Sequence, residues 1–308
     1  MQASNYENDA KILRDSMRGA GTDEDAIISI TASKNNKQRQ EVRKAYKACY
    51  GRDLIDDLKD ELGGDFKKVV YAMYLSPVEY DVTELRKAME GMGTDEDTVS
   101  EIIGSRSNYR LEEIKGLYKL KYNEDLESRI KSETSGDYRK LLISVLQCGR
   151  NESTDVDSNL VASDVADLYK AGEGKWGTDE EVFNRIFALR NSYHLREMNS
   201  LYQKQRGKNL LEVVDSEFSG DVKVLLKTIL HSHINPADYY ATRIYKACKG
   251  FGTNDSVLIR SLVVMDEVYL GEIKKIYQSK FGMTLRDQII DETSGDYKNM
   301  LLALVDTP

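Results

Sequence analysis

The chain has 308 residues, of which 40% are apolar and 31% charged, and a formal net charge of −8. That is enough apolar material for one or two sizeable cores or a series of smaller ones, and it excludes a disordered chain. The acidic balance argues against nucleic acid as a partner and, taken alone, against the anionic face of a membrane.

The first residues, MQASNYENDA, lack the basic start and apolar core of a signal peptide and have no glycine after Met for acylation. No stretch approaches the roughly eighteen apolar residues of a membrane span, so a cytoplasmic chain is expected. Cys49, Cys148 and Cys248 are odd in number and widely spaced, which leaves neither a disulfide framework nor a Cys-x-x-Cys metal site. All three read as buried small apolar residues. Only three prolines and few long β-branched runs point to an all-α chain.

In chain order, the opening segment resolves into five helical runs with spacings of three and four. They are carried by Ile12, Leu13 and Met17; Ile27, Ile28 and Ile30; Val42, Ala45, Tyr46 and Cys49; Leu54, Ile55 and Leu58; and Phe66, Val69, Val70 and Met73. Thr22, with Asp25 three residues on, is expected to cap the second helix, and Gly64 with Asp65 to separate the fourth from the fifth.

The same organisation then recurs. MRGAGTDED starts at residue 17, MEGMGTDED at 89, GKWGTDEE at 174 and CKGFGTND at 248, which fixes four repeats. A second motif also occurs four times: DELGGDF, KSETSGDY, DSEFSGDV and DETSGDY. From the glycine before each Thr (Gly21, Gly93, Gly177, Gly252) to the acid of the second motif (Glu61, Glu133, Glu217, Glu292) the separation is always 40 residues, although successive repeats lie 72, 84 and 75 residues apart. What is held fixed lies inside the repeat. If the second helix runs away, the third crosses and the fourth returns, both loops emerge at the same end. The polar stretch GRNESTDVDSN, 149–159, is the best linker candidate, giving repeats at 4–76, 77–148, 160–235 and 236–308.

Residues 171–177, AGEGKWG, contain a literal G-x-G-x-x-G at Gly172, Gly174 and Gly177. A dinucleotide loop follows a strand, whereas here Val161, Val165, Leu168 and Tyr169 space the preceding run as a helix face. The nucleotide reading is set aside. A cation is the better fit. An acid near a helix C-terminus meets the negative end of the macrodipole, and a nearby cation removes the conflict. Glycines let the facing loop turn carbonyl oxygens inward, and a few carbonyls with one carboxylate leave calcium positions open, while zinc would want His or Cys. This is not an EF-hand: in DVDSN from Asp155, the loop position that needs Gly is Leu160 and the one that needs Glu is Ala166.

These G-x-G-T-D-E loops, each with an acid 40 residues on, in four repeats over almost the whole chain, resemble the annexins. The resemblance implies a curved all-helical disc of four five-helix repeats that binds calcium and, through it, acidic phospholipid. Carried over by position, the ligands would be the carbonyls of Met17, Gly19 and Gly21 with Glu61; Met89, Gly91 and Gly93 with Glu133; and Cys248, Gly250 and Gly252 with Glu292. In repeat three they would be Gly172, Lys175 and Gly177 with Glu217, Gly174 being a rival to Gly172. A hydrophilic centre would map to Asp81, Glu84, Arg106 and Arg260, read as a structural charge network.

Four calcium ions would cancel the net charge of −8, and their open positions would accept headgroup oxygens. Ala20, Met92, Trp176 and Phe251 occupy the loop tips, where an aromatic could reach headgroup depth. Trp176 is the first candidate, and packing against their own helices is the reading for Ala20 and Met92. Arg18, Lys175 and Lys249 could touch phosphate, with Glu90 the departure in repeat two. Arg106 and Arg190 follow the second helix in repeats two and three, whereas Lys34 and Met265 stand there in repeats one and four. His194, His231 and His233 fall in no triad or metal motif, so an enzyme is not expected. The alternative is a cytoskeletal or structural scaffold on the same fold, with self-association on membranes as a further possibility.

Overall fold

The computed structural model describes residues 3–250, 252–265 and 269–306, and every regular element among them is an α-helix. Repeat one comprises α1 (Ala3–Ser16), α2 (Glu24–Ala32), α3 (Asn36–Tyr50), α4 (Leu54–Glu61) and α5 (Gly64–Tyr74). Repeat two follows with α6 (Pro77–Ala88), α7 (Glu96–Ser105), α8 (Asn108–Tyr122), α9 (Leu126–Glu133) and α10 (Gly136–Leu146). Repeat three has α11 (Ser158–Ala171), α12 (Glu180–Leu189), α13 (Ser192–Arg206), α14 (Leu210–Glu217) and α15 (Gly220–Ile234). Repeat four has α16 (Pro236–Cys248), α17 (Asp255–Met265), α18 (Leu270–Phe281), α19 (Leu285–Glu292) and α20 (Gly295–Asp306).

Local chemistry sets the helix ends. In repeats one, two and four the side chain after the motif threonine caps the second helix: Asp23 accepts from the Ala26 N–H and Asp95 from the Thr98 N–H, both at 3.0 Å, and Asn254 accepts from Val257 at 3.2 Å, whereas Asp179 in repeat three makes no such bond. Thr22 is therefore not the cap expected from the sequence. Its hydroxyl donates to Glu24, and the cap moves one residue on, to a side chain that reaches the first-turn N–H. The third helices all stop on a left-handed residue, glycine at Gly51, Gly207 and Gly282 and Asn123 in repeat two.

The helices divide into two units, Met1–Tyr80 with Tyr240–Pro308, and Asp81–Tyr239. In the first, α5 packs on α17 and α20, and Val69, Val70 and Met73 of α5, Leu258 of α17, and Met300 and Leu301 of α20 are buried. In the second, α7 packs along α15. A Cβ on Gly104 of α7 would come 2.9 Å from Thr228 Cγ2 of α15, so the glycine sets that approach. Phe183 of α12 meets Phe218 edge-to-face, ring centroids 4.9 Å apart.

The segment between α10 and α11, read as the linker candidate, is tied down on both sides. Arg150 donates to the carbonyls of Arg190 at 2.6 Å and Phe187 at 2.7 Å, Asn151 N–H donates to Leu189 O at 2.9 Å, and Asn108 donates to Arg150 O at 2.8 Å. Burial pulls the Arg150 guanidinium down to about 10.

A second recurring brace joins the first helix of a repeat to a residue just past its second helix. Lys34 pairs with Asp9 at 3.0 Å, Arg106 with Asp81 at 2.8 Å and Arg190 with Asp164 at 2.6 Å. The Lys34-for-Arg difference is thus one of bracing, and the Met265 side chain lies outside the described residues. Asp164 also meets His194 Nε2 at 2.8 Å, which gives that buried histidine a structural partner. The cysteines differ from expectation: Cys248 is buried, but Cys148 is only half-buried and Cys49 is exposed. Cys49 sits in the last turn of α3, past the packed stripe of Val42 and Tyr46. No described helix is long and apolar enough to cross a membrane.

Arg190→Met would leave the 1% exposed Asp164 carboxylate with His194 alone. We expect a loss of about 3 kcal/mol in urea unfolding, the cost of stranding one partner of a buried pair. A loss under about 0.5 kcal/mol would show that the brace is idle.

Candidate functional site

Each of the eight-residue helices α4, α9, α14 and α19 ends on the motif acid, Glu61, Glu133, Glu217 and Glu292. The carboxylate therefore lies at the negative end of its helix, beside backbone carbonyls without intrahelical partners. The glycine loop is closed separately, by one backbone bond from the helix-two cap back to the end of helix one. Asp23 N–H donates to Ser16 O at 2.9 Å, Asp95 to Ala88 at 2.8 Å, Asp179 to Ala171 at 2.7 Å and Asn254 to Ala247 at 2.8 Å. Repeat three needs one more residue to make the same closure.

The two loops meet through the threonine. Thr94 donates to Glu133 Oε2 at 3.2 Å, Thr178 to Glu217 Oε2 at 2.8 Å and Thr253 to Glu292 Oε2 at 3.1 Å. Each hydroxyl also lies 3.4 Å from the backbone carbonyl of the same glutamate. Sequence reasoning gave the threonine no part at the site, although it recurs after the glycine in all four loops. In repeat one Thr22 turns to Glu24 instead, and Glu61 is exposed.

Inside the loops the glycines adopt backbone that other residues avoid, with φ of 102° and 92° at Gly19 and Gly21 and 94° and 95° at Gly91 and Gly93. Their effect is to leave carbonyls unused. Among the described residues, the carbonyls of Met17, Gly19, Gly21, Gly91 and Gly93 accept no hydrogen bond from the protein. Gly177, Gly250 and Gly252 share the positive φ. In repeat three Gly172 is buried against the acid, a Cβ there falling 3.2 Å from Glu217 Cγ, while its carbonyl accepts the Lys175 N–H at 3.0 Å. Gly174 is held tightly against α11, its N–H donating to Tyr169 O at 2.7 Å. The neighbouring Glu173 is held below the usual carboxylate range by Lys208, which donates at 2.6 Å, and by Tyr202 at 2.9 Å. Cys248 is buried with its thiol pushed up to about 12 by burial, and the oxygen it can offer is its backbone carbonyl.

Repeat two differs. The Met89 carbonyl accepts a hydrogen bond from Arg129 Nη2, and the same nitrogen is 3.2 Å from Glu133 Oε1. In repeat four Gln288 donates to Glu292 Oε1 at 3.2 Å.

At the tips, Met92 and Trp176 are fully exposed, at 105% and 104%. Packing of Met92 against its own helix is thus overturned: the left-handed glycines on either side turn its side chain outward. Ala20 is exposed too, and Phe251 lies outside the described residues. Arg18, Lys175 and Lys249 are exposed, whereas Glu90 pairs with Arg86 at 2.6 Å. Among the described residues no three His, Cys, Asp or Glu side chains gather as a metal site. A cation here would rest on one carboxylate and several carbonyls, a donor set of hard oxygens that fits calcium.

A family profile described as Annexin matches residues 8–73, 80–145, 163–229 and 239–304. The chain is 42% identical to annexin A7 of Homo sapiens over 305 residues, 98% of this chain and 62% of that protein, so it spans less than two thirds of that relative. The solved structure of annexin III superposes with a TM-score of 0.94 at 37% identity, covering 98% of this chain and 94% of the other. Calcium-bound annexin (Sm)1 does so with a TM-score of 0.86 at 32% identity, covering 98% and 90%. Four matched repeats, five helices in each and a shared fold at these identities place the chain in one family: it is an annexin.

Proposed function

We infer that this chain binds acidic phospholipid surfaces in a calcium-dependent way. The observation that carries the reading is the meeting of Thr94, Thr178 and Thr253 with Glu133, Glu217 and Glu292 beside the glycine loops; in the loops of repeats one and two, the carbonyls of Met17, Gly19, Gly21, Gly91 and Gly93 accept no hydrogen bond from the described residues. The residues that would hold calcium are Met17, Gly19, Gly21 and Glu61; Met89, Gly91, Gly93 and Glu133; Gly172, Lys175, Gly177 and Glu217; and Cys248, Gly250, Gly252 and Glu292. When bound, calcium supplies coordination positions that the protein leaves open to headgroup oxygens. The calcium in the annexin (Sm)1 structure supports the choice of ion.

The protein's own part is to present oxygens, offset charge and enter the interface. One carboxylate per loop gives weak binding until a headgroup completes the shell. The fully exposed Trp176 indole is suited to headgroup depth, where an aromatic body and a polar N–H are both accommodated. Arg18, Lys175 and Lys249 add cations at the same level, whereas repeat two has Glu90 at that position, paired with Arg86.

Sedimentation with phosphatidylserine vesicles should require calcium and reverse with chelator; calcium-independent sedimentation, or none, would overturn the reading. Trp176 is the only tryptophan, and its emission should shift to the blue only with calcium and acidic vesicles together. Glu217→Gln should raise the calcium needed for that shift by about tenfold, since charge count tunes such sites. Without metal, Thr178→Val should speed amide exchange over 172–178 about fivefold, the loss of about 1 kcal/mol from one hydrogen bond. Unchanged exchange would mean that the hydroxyl does not hold the loop.

A further inference from the structure

The position four residues before each helix-four acid is Asp57, Arg129, Val213 and Gln288 in the four repeats. In repeat one Asp57 is buried and points inward, accepting from Tyr46 at 2.6 Å, Arg14 at 2.9 Å and Arg52 at 2.6 Å. In repeat four Gln288 likewise takes a hydrogen bond from Tyr277, at 3.0 Å. Repeat two reverses the charges of repeat one: Glu124 stands where Arg52 does, and Arg129 where Asp57 does. A guanidinium is thereby placed beside a glycine loop whose acid is one turn further along the same helix.

Arg129 uses that reach. Its Nη2 donates to Met89 O and lies 3.2 Å from Glu133 Oε1, so one cationic nitrogen joins the carbonyl of one loop to the carboxylate of the other. Its Nη1 lies 3.9 Å from Glu124 Oε1, and Glu124 is itself held by Arg86 Nη1 at 2.8 Å. Only 22% of the Arg129 side chain is exposed. The charge, the two oxygens and the bracing acid form an ion cluster made from the protein's own groups.

We propose that Arg129 is a built-in cation that closes the repeat-two loop and competes with calcium for Met89 O and Glu133. This rests on the calcium reading above and deepens it. Calcium at repeat two must first displace the guanidinium, or else sit beside a like charge that already neutralises Glu133. The population competent to bind is reduced by that latch, and the apparent affinity falls in proportion. Repeat two therefore loads at higher calcium than it would with a neutral side chain at position 129.

The test uses the full chain and calcium alone, by equilibrium dialysis. In a Glu61→Gln, Glu217→Gln, Glu292→Gln background only repeat two keeps its acid. Adding Arg129→Gln, or Arg129→Met as a second variant that keeps the apolar stem, should lower the calcium concentration for half-saturation by on the order of tenfold, the equivalent of one charge-assisted hydrogen bond. In the otherwise unaltered chain without metal, the same substitutions should speed amide exchange over 89–95 severalfold and leave 172–178 unchanged. An unchanged or raised half-saturation overturns the competition, and unchanged exchange over 89–95 overturns the latch. If the triple background takes up as much calcium as the unaltered chain, the calcium reading itself has failed, a result separable from the other two.

Discussion

A carboxylate at the last residue of a helix faces the negative end of the backbone dipole, and this chain makes that placement four times. Something must offset it, and the rest of the repeat can be understood as the means. Helices two to four bring a second loop to the same end, so that in repeats two, three and four the threonine of one loop reaches the acid of the other. The 40-residue spacing from motif glycine to acid is the sequence trace of that closure. The distance between repeats is under no such constraint, which is why it varies while the internal spacing does not.

The four repeats meet the same electrostatic problem with different donors. Repeat one leaves Glu61 to water and spends its buried acid, Asp57, on Arg14, Arg52 and Tyr46. Repeat three uses a hydroxyl at 2.8 Å, and repeat four adds the Gln288 amide to a hydroxyl. Repeat two adds a full positive charge. A neutral donor yields readily to a divalent ion, because it loses only a hydrogen bond; a guanidinium must also be moved away from the arriving charge. On the calcium reading proposed above, affinity would be graded across nearly identical loops by one residue that is outside the loop motif.

Much of this was legible in the sequence. The helix runs, the four repeats and the meeting of the two loops follow from periodicity and one constant spacing, because these are properties of the backbone path. Side-chain choices were harder to read. Thr22 matched a capping pattern, yet Asp23 is the cap, and the threonine's partner in three repeats is a glutamate 39 residues on. Met92 looked like a packing residue, but flanking left-handed glycines send it into solvent. Arg129 carried a signal only on comparing repeats: a charge reversal at two positions, five residues apart, that preserves an ion pair while changing which member approaches the loop.

Repeat three shows why the closure tolerates change on one side only. Its extra residue enters between the end of α11 and Gly177, ahead of the point from which the constant spacing is measured. The loop absorbs it as a local turn, Gly174 N–H to Tyr169 O and Lys175 N–H to Gly172 O, and still delivers Thr178 to Glu217. An insertion between the threonine and the acid would instead lengthen a path through three packed helices, where one added residue rotates every later side chain of its helix by about 100° and turns the packed face away from the core. The tip, which carries Trp176, is therefore free to differ from repeat to repeat, whereas the threonine and the acid must keep their distance.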